Sequence, residues 1–122
     1  MNKRKQEQEK KNVLSQIKHT SLSGNKMNNF IAYQSEGTEH ILMKFAVWLK
    51  LREKGYETWC EPIFKSGIRF DVLALRDGIW TGYEILSSET LKELKVKTKS
   101  YPSEINIVPI KEWKDIKNLE MY

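Results

Sequence analysis

The sequence predicts a mixed α/β fold in the order helix, strand, strand, strand, helix, strand, helix. Three observations predict it. A long apolar run at helical spacing ends near Gly55, an Asp77-Gly78 turn separates two apolar strand-like segments, and Pro102 separates a second helix from a further strand. At 122 residues the chain is long enough for one domain with a modest core.

The first helix of this domain follows the segment Ser35-Glu36-Gly37-Thr38, whose hydroxyl groups can cap a helix start. Its apolar residues recur at helical spacing and extend around the cylinder, so we expect it to be packed on more than one side. These residues are Ile41, Leu42, Met43, Phe45, Ala46, Val47, Trp48 and Leu49. Gly55 should end the helix, because glycine readily takes the left-handed conformation beyond a helix end.

Three strands are expected next, over residues 56–64, 68–75 and 79–86. Pro62 implies an edge or a bulge in the first strand. The Asp77-Gly78 pair predicts a tight hairpin between the second and third strands.

The last part of the chain predicts a helix, a strand and a closing helix. Ser87 or Ser88 can cap a helix whose apolar side carries Leu91, Leu94, Thr98 and Tyr101. Residues 105–110 then read as a strand. A closing helix is expected to place Trp113, Ile116 and Leu119 on one side.

The net charge of +5 is concentrated at the start of the chain. Residues 1–28 hold seven Lys or Arg against two Glu, whereas residues 29–122 hold fourteen of each sign. The first segment is poor in apolar residues, so we expect a basic, mobile tail attached to a domain over residues 29–122. Such a tail is suited to DNA phosphates, and an ordinary solvated tail explains it equally well.

The cellular setting follows from two absences in the sequence. No apolar run approaches the roughly 20 residues of a membrane helix, and no signal peptide is evident, so a soluble cytoplasmic protein without membrane contact is expected. Cys60 is the only cysteine, which excludes an intramolecular disulfide and a cysteine-based zinc cage. We expect Cys60 to be buried as a small apolar residue.

Two carboxylates interrupt apolar strands. Asp71 lies in Phe70-Asp71-Val72-Leu73 and Glu84 in Tyr83-Glu84-Ile85-Leu86. An ionised carboxylate in a half-buried strand is costly without a cation or hydrogen bonds, and the two strands are neighbours in the predicted hairpin. A Mg²⁺ ion would compensate for this burial. Pairing of one acid with Arg69 or a lysine is the simpler alternative, with the other acid at a strand end.

Three segments carry a resemblance to a known family. They are Ser35-Glu36-Gly37-Thr38-Glu39-His40, Gly67-Ile68-Arg69-Phe70-Asp71-Val72-Leu73-Ala74-Leu75 and Tyr83-Glu84-Ile85-Leu86-Ser87. Together with the long helix that ends at Gly55-Tyr56, they resemble the PD-(D/E)xK nuclease superfamily over residues 35 to about 110. The resemblance implies a restriction-endonuclease-like core with a mixed sheet, in the helix and strand order predicted above.

The resemblance also implies a chemistry and a set of residues. The expected reaction is hydrolysis of phosphodiester bonds in DNA by a Mg²⁺-dependent endonuclease, with Mn²⁺ as a possible substitute. Asp71, Glu84 and the Ile85 carbonyl would bind the metal, and Glu39 or Glu36 would supply an acid from the first helix. A small nuclease often needs a second subunit to reach both strands, so a homodimer is also expected, although no sequence feature identifies its interface.

One residue departs seriously from the family pattern. Leu86 stands two residues after Glu84, where the superfamily has a lysine that orients water and offsets negative charge. Some members carry that lysine on a neighbouring helix, and Lys97 is the candidate here because it shares a helix side with Leu94 and Tyr101. A lysine at the border of an amphipathic helix is, however, usually an ordinary surface residue. Phe70 in place of the proline before the aspartate is a smaller departure.

The remaining candidates have simple structural explanations. Glu39 is favoured by the positive helix N-terminus whether or not it binds anything. His40 has no second histidine at ligand spacing, so a capping or surface role is expected rather than a zinc role. Glu61 could join the carboxylates or occupy an exposed edge. Core packing is the default expectation for the tryptophans Trp59, Trp80 and Trp113.

Three hypotheses follow. The first is the metal-dependent nuclease, with Glu39, Asp71, Glu84 and Lys97 as its catalytic residues. The second is a catalytically degenerate nuclease fold kept as a DNA-binding or assembly module, which Leu86 and the basic tail favour. The third is an interaction protein in which the carboxylates are structural.

Overall fold

The computed structural model describes residues 2–19, 23–33, 35–86 and 90–119. Within these ranges the chain forms one mixed sheet with α-helices on both faces. The elements are α1 (Lys3–Leu14), α2 (Thr38–Glu53), β1 (Glu57–Cys60), β2 (Val72–Arg76), β3 (Ile79–Ile85), α3 (Leu91–Lys97), β4 (Ile105–Ile110) and α4 (Trp113–Lys117). The α/β class is confirmed, and from α2 onward the elements occur in the predicted order.

The sheet has the order β1-β2-β3-β4. The first three strands form an antiparallel meander, and β4 pairs in parallel with β3. Asp77 and Gly78 both have positive φ, 51° and 78°, as a tight β2–β3 turn with the twist of the sheet requires. The predicted hairpin is therefore confirmed.

Side chains alternate between the two faces of the sheet, and each face buries its own apolar cluster. The face covered by α2 and α4 buries Met43, Val47, Leu51, Val72, Ala74, Tyr83, Ile85, Ile110 and Ile116. The opposite face buries Val13, Ile17, Trp59, Phe64, Phe70, Leu73, Trp80, Tyr101 and Ile105. On this second face the Phe70 ring lies against Gly82, where an added Cβ would meet it at 2.4 Å.

The N-terminal segment buries more surface than its composition indicates. It contains α1, and Val13 and Ile17 are each only 1% exposed. Ile17 forms a bridge with Phe64, and the Lys10 ammonium lies 2.6 Å from the Glu57 carboxylate of β1. Val13 and Ile17 pack against the second face of the sheet, so low apolar content did not predict this burial.

Helix α2 is packed on more than one side but not all round. Met43, Val47 and Leu51 are buried, but Leu42, Phe45 and Leu49 are 52%, 40% and 39% exposed. The sheet covers the inner side of this helix, and α4 also contacts it. The Phe30 ring lies 5.0 Å from the Phe45 ring and 5.6 Å from the Trp48 ring. The expected packing on more than one side is therefore confirmed, although one stripe of the helix is open within the described residues.

The helix after β3 begins later than predicted. Ser87 and Ser88, the predicted caps, lie outside the described residues, and the observed cap is Thr90, whose hydroxyl accepts the Glu93 N–H at 3.1 Å. A turn of 3₁₀-helix (Thr98–Ser100) follows α3 and ends before Pro102. The core role expected for the tryptophans holds for Trp59 and Trp80, each 2% exposed, but Trp113 is 47% exposed.

Candidate carboxylate and metal site

Three acidic residues from adjacent strands lie at one end of the sheet. Glu61 directly follows β1, Asp71 directly precedes β2, and Glu84 is the penultimate residue of β3. The Cys60↔Val72 and Val72↔Tyr83 pairs set this register, and the Glu61 N–H donates to the Asp71 carbonyl at 2.9 Å. The meander therefore brings together three carboxylates that are well separated in sequence.

Asp71 is the central member of this row. One carboxylate oxygen, Oδ2, accepts the Ile85 backbone N–H at 2.7 Å, and the other, Oδ1, lies 3.4 Å from His40 Nε2. The side chain is 14% exposed. Asp71 therefore connects β3 with the first turn of α2.

Glu84 lies on the opposite face of the sheet from α2, with α3 and the turn that follows it. Its side chain is 5% exposed, and Lys97 Nζ lies 3.8 Å from Oε2. The Tyr101 hydroxyl donates to Oε1 at 3.4 Å. Lys97 is thus the cation next to Glu84, although its own side chain is 44% exposed.

Helix α2 brings a second group of charges to the same end of the sheet. Glu36, His40 and Lys44 are spaced four residues apart, which places them along one side of the helix and its N-terminal approach. The Lys44 ammonium lies 2.7 Å from Glu36 Oε1 and 3.0 Å from Glu61 Oε1. Lys44 is fully buried, and its charge is divided between these two glutamates.

Glu61 is held in place by an unusual backbone conformation. Its φ is +56°, a left-handed value that glutamate rarely adopts, and its side chain is 3% exposed. Arg69 Nε lies 3.8 Å from the second oxygen, Oε2. The carboxylate therefore joins the cluster, and the alternative of an exposed edge position was wrong.

The buried charges shift the pKa values of this group in different directions. Burial raises the pKa of Glu61 to about 7, and the charge of Asp71 acts the same way. Burial also opposes ionisation of Glu36, but hydrogen bonds from Lys44 and the Tyr33 N–H outweigh it and lower the pKa of Glu36. Although burial alone would lower the pKa of Lys44, its bonds to the two glutamates raise it. The hydrogen bond to Asp71 outweighs partial burial and raises the pKa of His40.

Glu36, His40 and Glu61 form a group that could hold a metal ion. One ligand atom from each lies within 4.8 Å of the others. Carboxylate oxygens suit Mg²⁺ and Mn²⁺, and an imidazole nitrogen favours a transition metal such as Mn²⁺ over Mg²⁺. His40 is only 18% exposed and contacts both Glu36 and Asp71, so the capping or surface role expected for it was wrong.

A cavity of about 530 Å³ opens next to this group, between the start of α2 and the ends of β3 and β4. It is lined by Ser35, Glu36, Gly37, Glu39, His40, Met43, Ile85, Leu86 and Lys111. Glu39 thus lines the same cavity as Glu36. Asp71 does not line the cavity, but it contacts two residues that do, His40 and Ile85. Leu86, which stands where the resemblance predicts a lysine, lies in its wall.

The structure places the sequence candidates at one end of the sheet but on both of its faces, and it adds two residues. Asp71 contacts His40 of α2 and the Ile85 N–H, and Glu39 lines the cavity on the α2 side. Glu84 and Lys97 lie on the opposite face. Sequence reasoning missed Lys44 and gave His40 no role in the site. The four-residue spacing of Glu36, His40 and Lys44 was the available signal, since such spacing aligns side chains on a helix.

Cys60 is fully buried, as expected, and its Sγ contacts the Ile31 carbonyl at 3.3 Å. Burial raises the pKa of the Cys60 thiol to about 11.

Comparison with protein-family models, with curated proteins and with solved structures gave no match. In the described part of the chain, no helix has the length and apolarity needed to cross a membrane.

Proposed function

We propose that the chain is a metal-dependent nuclease that acts on DNA by phosphodiester hydrolysis. The observation that carries this proposal is the set of three carboxylates at one end of the sheet, Glu61, Asp71 and Glu84. The first two contact α2 near a cavity lined by further acids, and Glu84 lies on the opposite face. Acidic ligands from neighbouring strands are a common way to hold a divalent cation at a phosphate. The restriction-endonuclease-like arrangement of helix, meander, helix and parallel strand supports it as an analogy of fold.

Two separate sets of residues could hold the metal. The resemblance assigns Asp71, Glu84 and the Ile85 carbonyl, and the geometry adds Glu36, His40 and Glu61. Bound Mg²⁺ or Mn²⁺ would polarise the phosphate and make water a better nucleophile. In the hydrolysis, the water oxygen bonds to phosphorus, one phosphorus–oxygen ester bond breaks, and the leaving oxygen gains a proton.

The chain's own cations offset the negative charge of this site. Lys97 lies beside Glu84 and reduces the repulsion between that carboxylate and a phosphate. Glu39 lines the cavity from the first turn of α2, where an acidic group is favoured and can orient water.

A second candidate is a catalytically degenerate nuclease fold that binds DNA or assembles with other proteins. The observation that favours it is Lys44, because its buried ammonium neutralises Glu36 and Glu61 without a metal. Leu86 favours it as well.

Cleavage of labelled single-stranded, duplex and branched DNA with Mg²⁺ or Mn²⁺ tests the first candidate. The informative variants are Asp71→Asn and Glu84→Gln, which keep the size of each side chain but remove its charge. Matched controls are Asp77→Asn in the hairpin turn and Glu104→Gln in an exposed turn before β4. We expect cutting by the wild type and both controls, and a loss of at least about 100-fold in the two site variants.

The other outcomes separate the hypotheses. DNA that is bound with a steep salt dependence but never cut would replace the nuclease with the binding module. Cutting that persists unchanged in both site variants would assign the activity elsewhere, and absence of both cutting and binding would support an interaction protein.

A further inference from the structure

The cavity beside the carboxylates has an acidic lining that would repel a phosphate. Its charged or titratable wall residues are Glu36, Glu39, His40 and Lys111. Glu36 is bonded to Lys44, and His40 lies between two carboxylates. An anionic substrate that enters this cavity needs a cation that is not already neutralised.

Lys111 is the cation that meets this requirement. It is exposed, and its ammonium has no ion pair or hydrogen bond with the residues that the structure describes. By contrast, Lys44 is buried between two glutamates, and Lys97 lies beside Glu84 on the other face of the sheet.

The position of Lys111 follows from the parallel register of β3 and β4. Ile85 pairs with Ile110, and the Leu86 N–H donates to the Ile110 carbonyl at 2.8 Å. The next residues along these two strands, Leu86 and Lys111, both line the cavity. A lysine at the end of β4 therefore stands beside the leucine at the end of β3.

The backbone at Lys111 is fixed although its side chain extends into solvent. Its N–H donates to Asp115 Oδ2 at 2.9 Å, and the Glu112 N–H donates to the same oxygen at 2.9 Å. The Glu112 bond is part of the capping box that starts α4. The lysine is thus anchored at the rim of the cavity with its charge available.

We propose that Lys111 binds a phosphate of the nucleic-acid substrate at the rim of this cavity. The inference rests on the proposed function for the identity of the substrate. It assigns the contact with the non-bridging phosphate oxygens to Lys111, while Lys97 acts on Glu84.

The test compares Lys111→Met and Lys111→Arg with Lys114→Met in the otherwise intact chain. Lys114 is a suitable control because it lies three residues away on α4, is 73% exposed and pairs with Glu112 at 3.2 Å. Two quantities are measured: kcat/KM for cleavage of a labelled DNA duplex with Mg²⁺, and the affinity for the same duplex with Ca²⁺ at several salt concentrations. We expect Lys111→Met to lower kcat/KM about 100-fold. Its slope of log affinity against log salt should fall by about 0.9, whereas Lys111→Arg, which keeps the charge, and Lys114→Met should keep a slope near that of the wild type.

The two measurements distinguish failure of this inference from failure of the proposed function. If the duplex is cut and Lys111→Met matches Lys114→Met in both measurements, Lys111 is not the phosphate contact. If no form cuts but Lys111→Met binds more weakly with a smaller salt slope, the nuclease proposal fails and the phosphate contact stands. A wild type that neither cuts nor binds the duplex overturns both.

Discussion

Lys44 controls the charge balance at the end of the sheet. It is fully buried, its ammonium bonds to Glu36 and Glu61, and it lies 5.5 Å and 5.9 Å from the ring centres of Phe30 and Tyr33. Lys44→Met keeps an unbranched side chain but leaves the carboxylates of Glu36 and Glu61 without their buried cation. We therefore expect the free energy of unfolding to fall by about 3–5 kcal/mol. Urea denaturation in EDTA measures this, with exposed Lys54→Met as the control.

The same variant tests whether the group can take a metal. Without the ammonium, Mn²⁺ should bind to Glu36, His40 and Glu61 and raise the Tm of Lys44→Met more than that of the wild type. At a free Mn²⁺ concentration about 100 times the Kd, binding would add about 2.7 kcal/mol to the free energy of unfolding. Adding Glu61→Gln to the variant should remove the effect. A Tm insensitive to Mn²⁺ in Lys44→Met would show that these residues do not form a metal site.

Glu61 makes stability depend on pH in a direction opposite to most acids. Burial raises its pKa from 4.5 to about 7, so the folded state holds the proton more tightly than the unfolded state. Its contribution to stability is therefore complete below pH 4.5 and is lost as pH rises to about 7. The wild type should lose stability relative to Glu61→Gln across this interval, with no further change above it. Chemical denaturation from pH 4 to pH 8 in EDTA measures this, and a gap that widens in the wild type's favour would contradict it.

The sequence predicted some residues of the site for a clear physical reason. Asp71 and Glu84 interrupt apolar strands, and the hairpin signal at Asp77-Gly78 makes those strands neighbours. The contact between Lys44 and Glu61 was not predicted, because it joins α2 to the far end of β1 and depends on the left-handed φ of Glu61. No local pattern reports that conformation at a non-glycine residue.

At the scale of elements, local sequence signals predicted the end of a strand or helix where a turn residue defines it. The hairpin and the bounds of β4 match their predictions because Asp77-Gly78 and Pro102 act locally. The packing of α1 was missed because few apolar residues carry it, chiefly Val13 and Ile17, and the bridge partner of Ile17, Phe64, lies more than forty residues further along the chain. Amino-acid composition does not predict long-range burial of this kind.

Helix α4 offers a prediction at this scale through its capping box. Hydrogen bonds from the Glu112 and Lys111 N–H groups lower the pKa of Asp115 below its ordinary 3.8. Asp115 therefore contributes stability above pH 3.8 that is lost as pH falls through its lowered pKa. We expect Asp115→Asn to cost about 0.5–1 kcal/mol at pH 7 and nothing at the acid limit. Thermal unfolding from pH 7 to pH 2.5 measures this loss of stability, with Glu104→Gln as the control. A loss in Asp115→Asn that is the same at every pH would contradict the prediction.

At the scale of the whole molecule, α1 completes the second face of the sheet. Ile17→Ala should lower the free energy of unfolding by about 2–5 kcal/mol, because it leaves a cavity among Val13, Phe64 and their neighbours. Urea denaturation checks this against Leu91→Ala, a change of similar size at a residue that is 51% exposed. Equal costs for the two variants would mean that the segment directly after α1 does not contribute to the core.

The basic residues in the first turn of α1 can be tested for DNA binding separately from the contribution of the helix to stability. Lys3, Arg4 and Lys5 are exposed in its first turn, on a helix that Lys10 and Ile17 fix to the sheet. Changing all three to Gln should leave stability within about 0.5 kcal/mol of the wild type. If these cations contact phosphates, the salt slope of duplex DNA binding falls by about 0.9 for each contact removed. A variant with Lys92, Lys114 and Lys117 changed to Gln, which also loses three exposed charges, controls for lost net charge. If the salt slope is unchanged in the N-terminal triple variant, these residues are ordinary solvated surface. If the slope falls in this variant but not in the control, α1 is part of the DNA-binding surface.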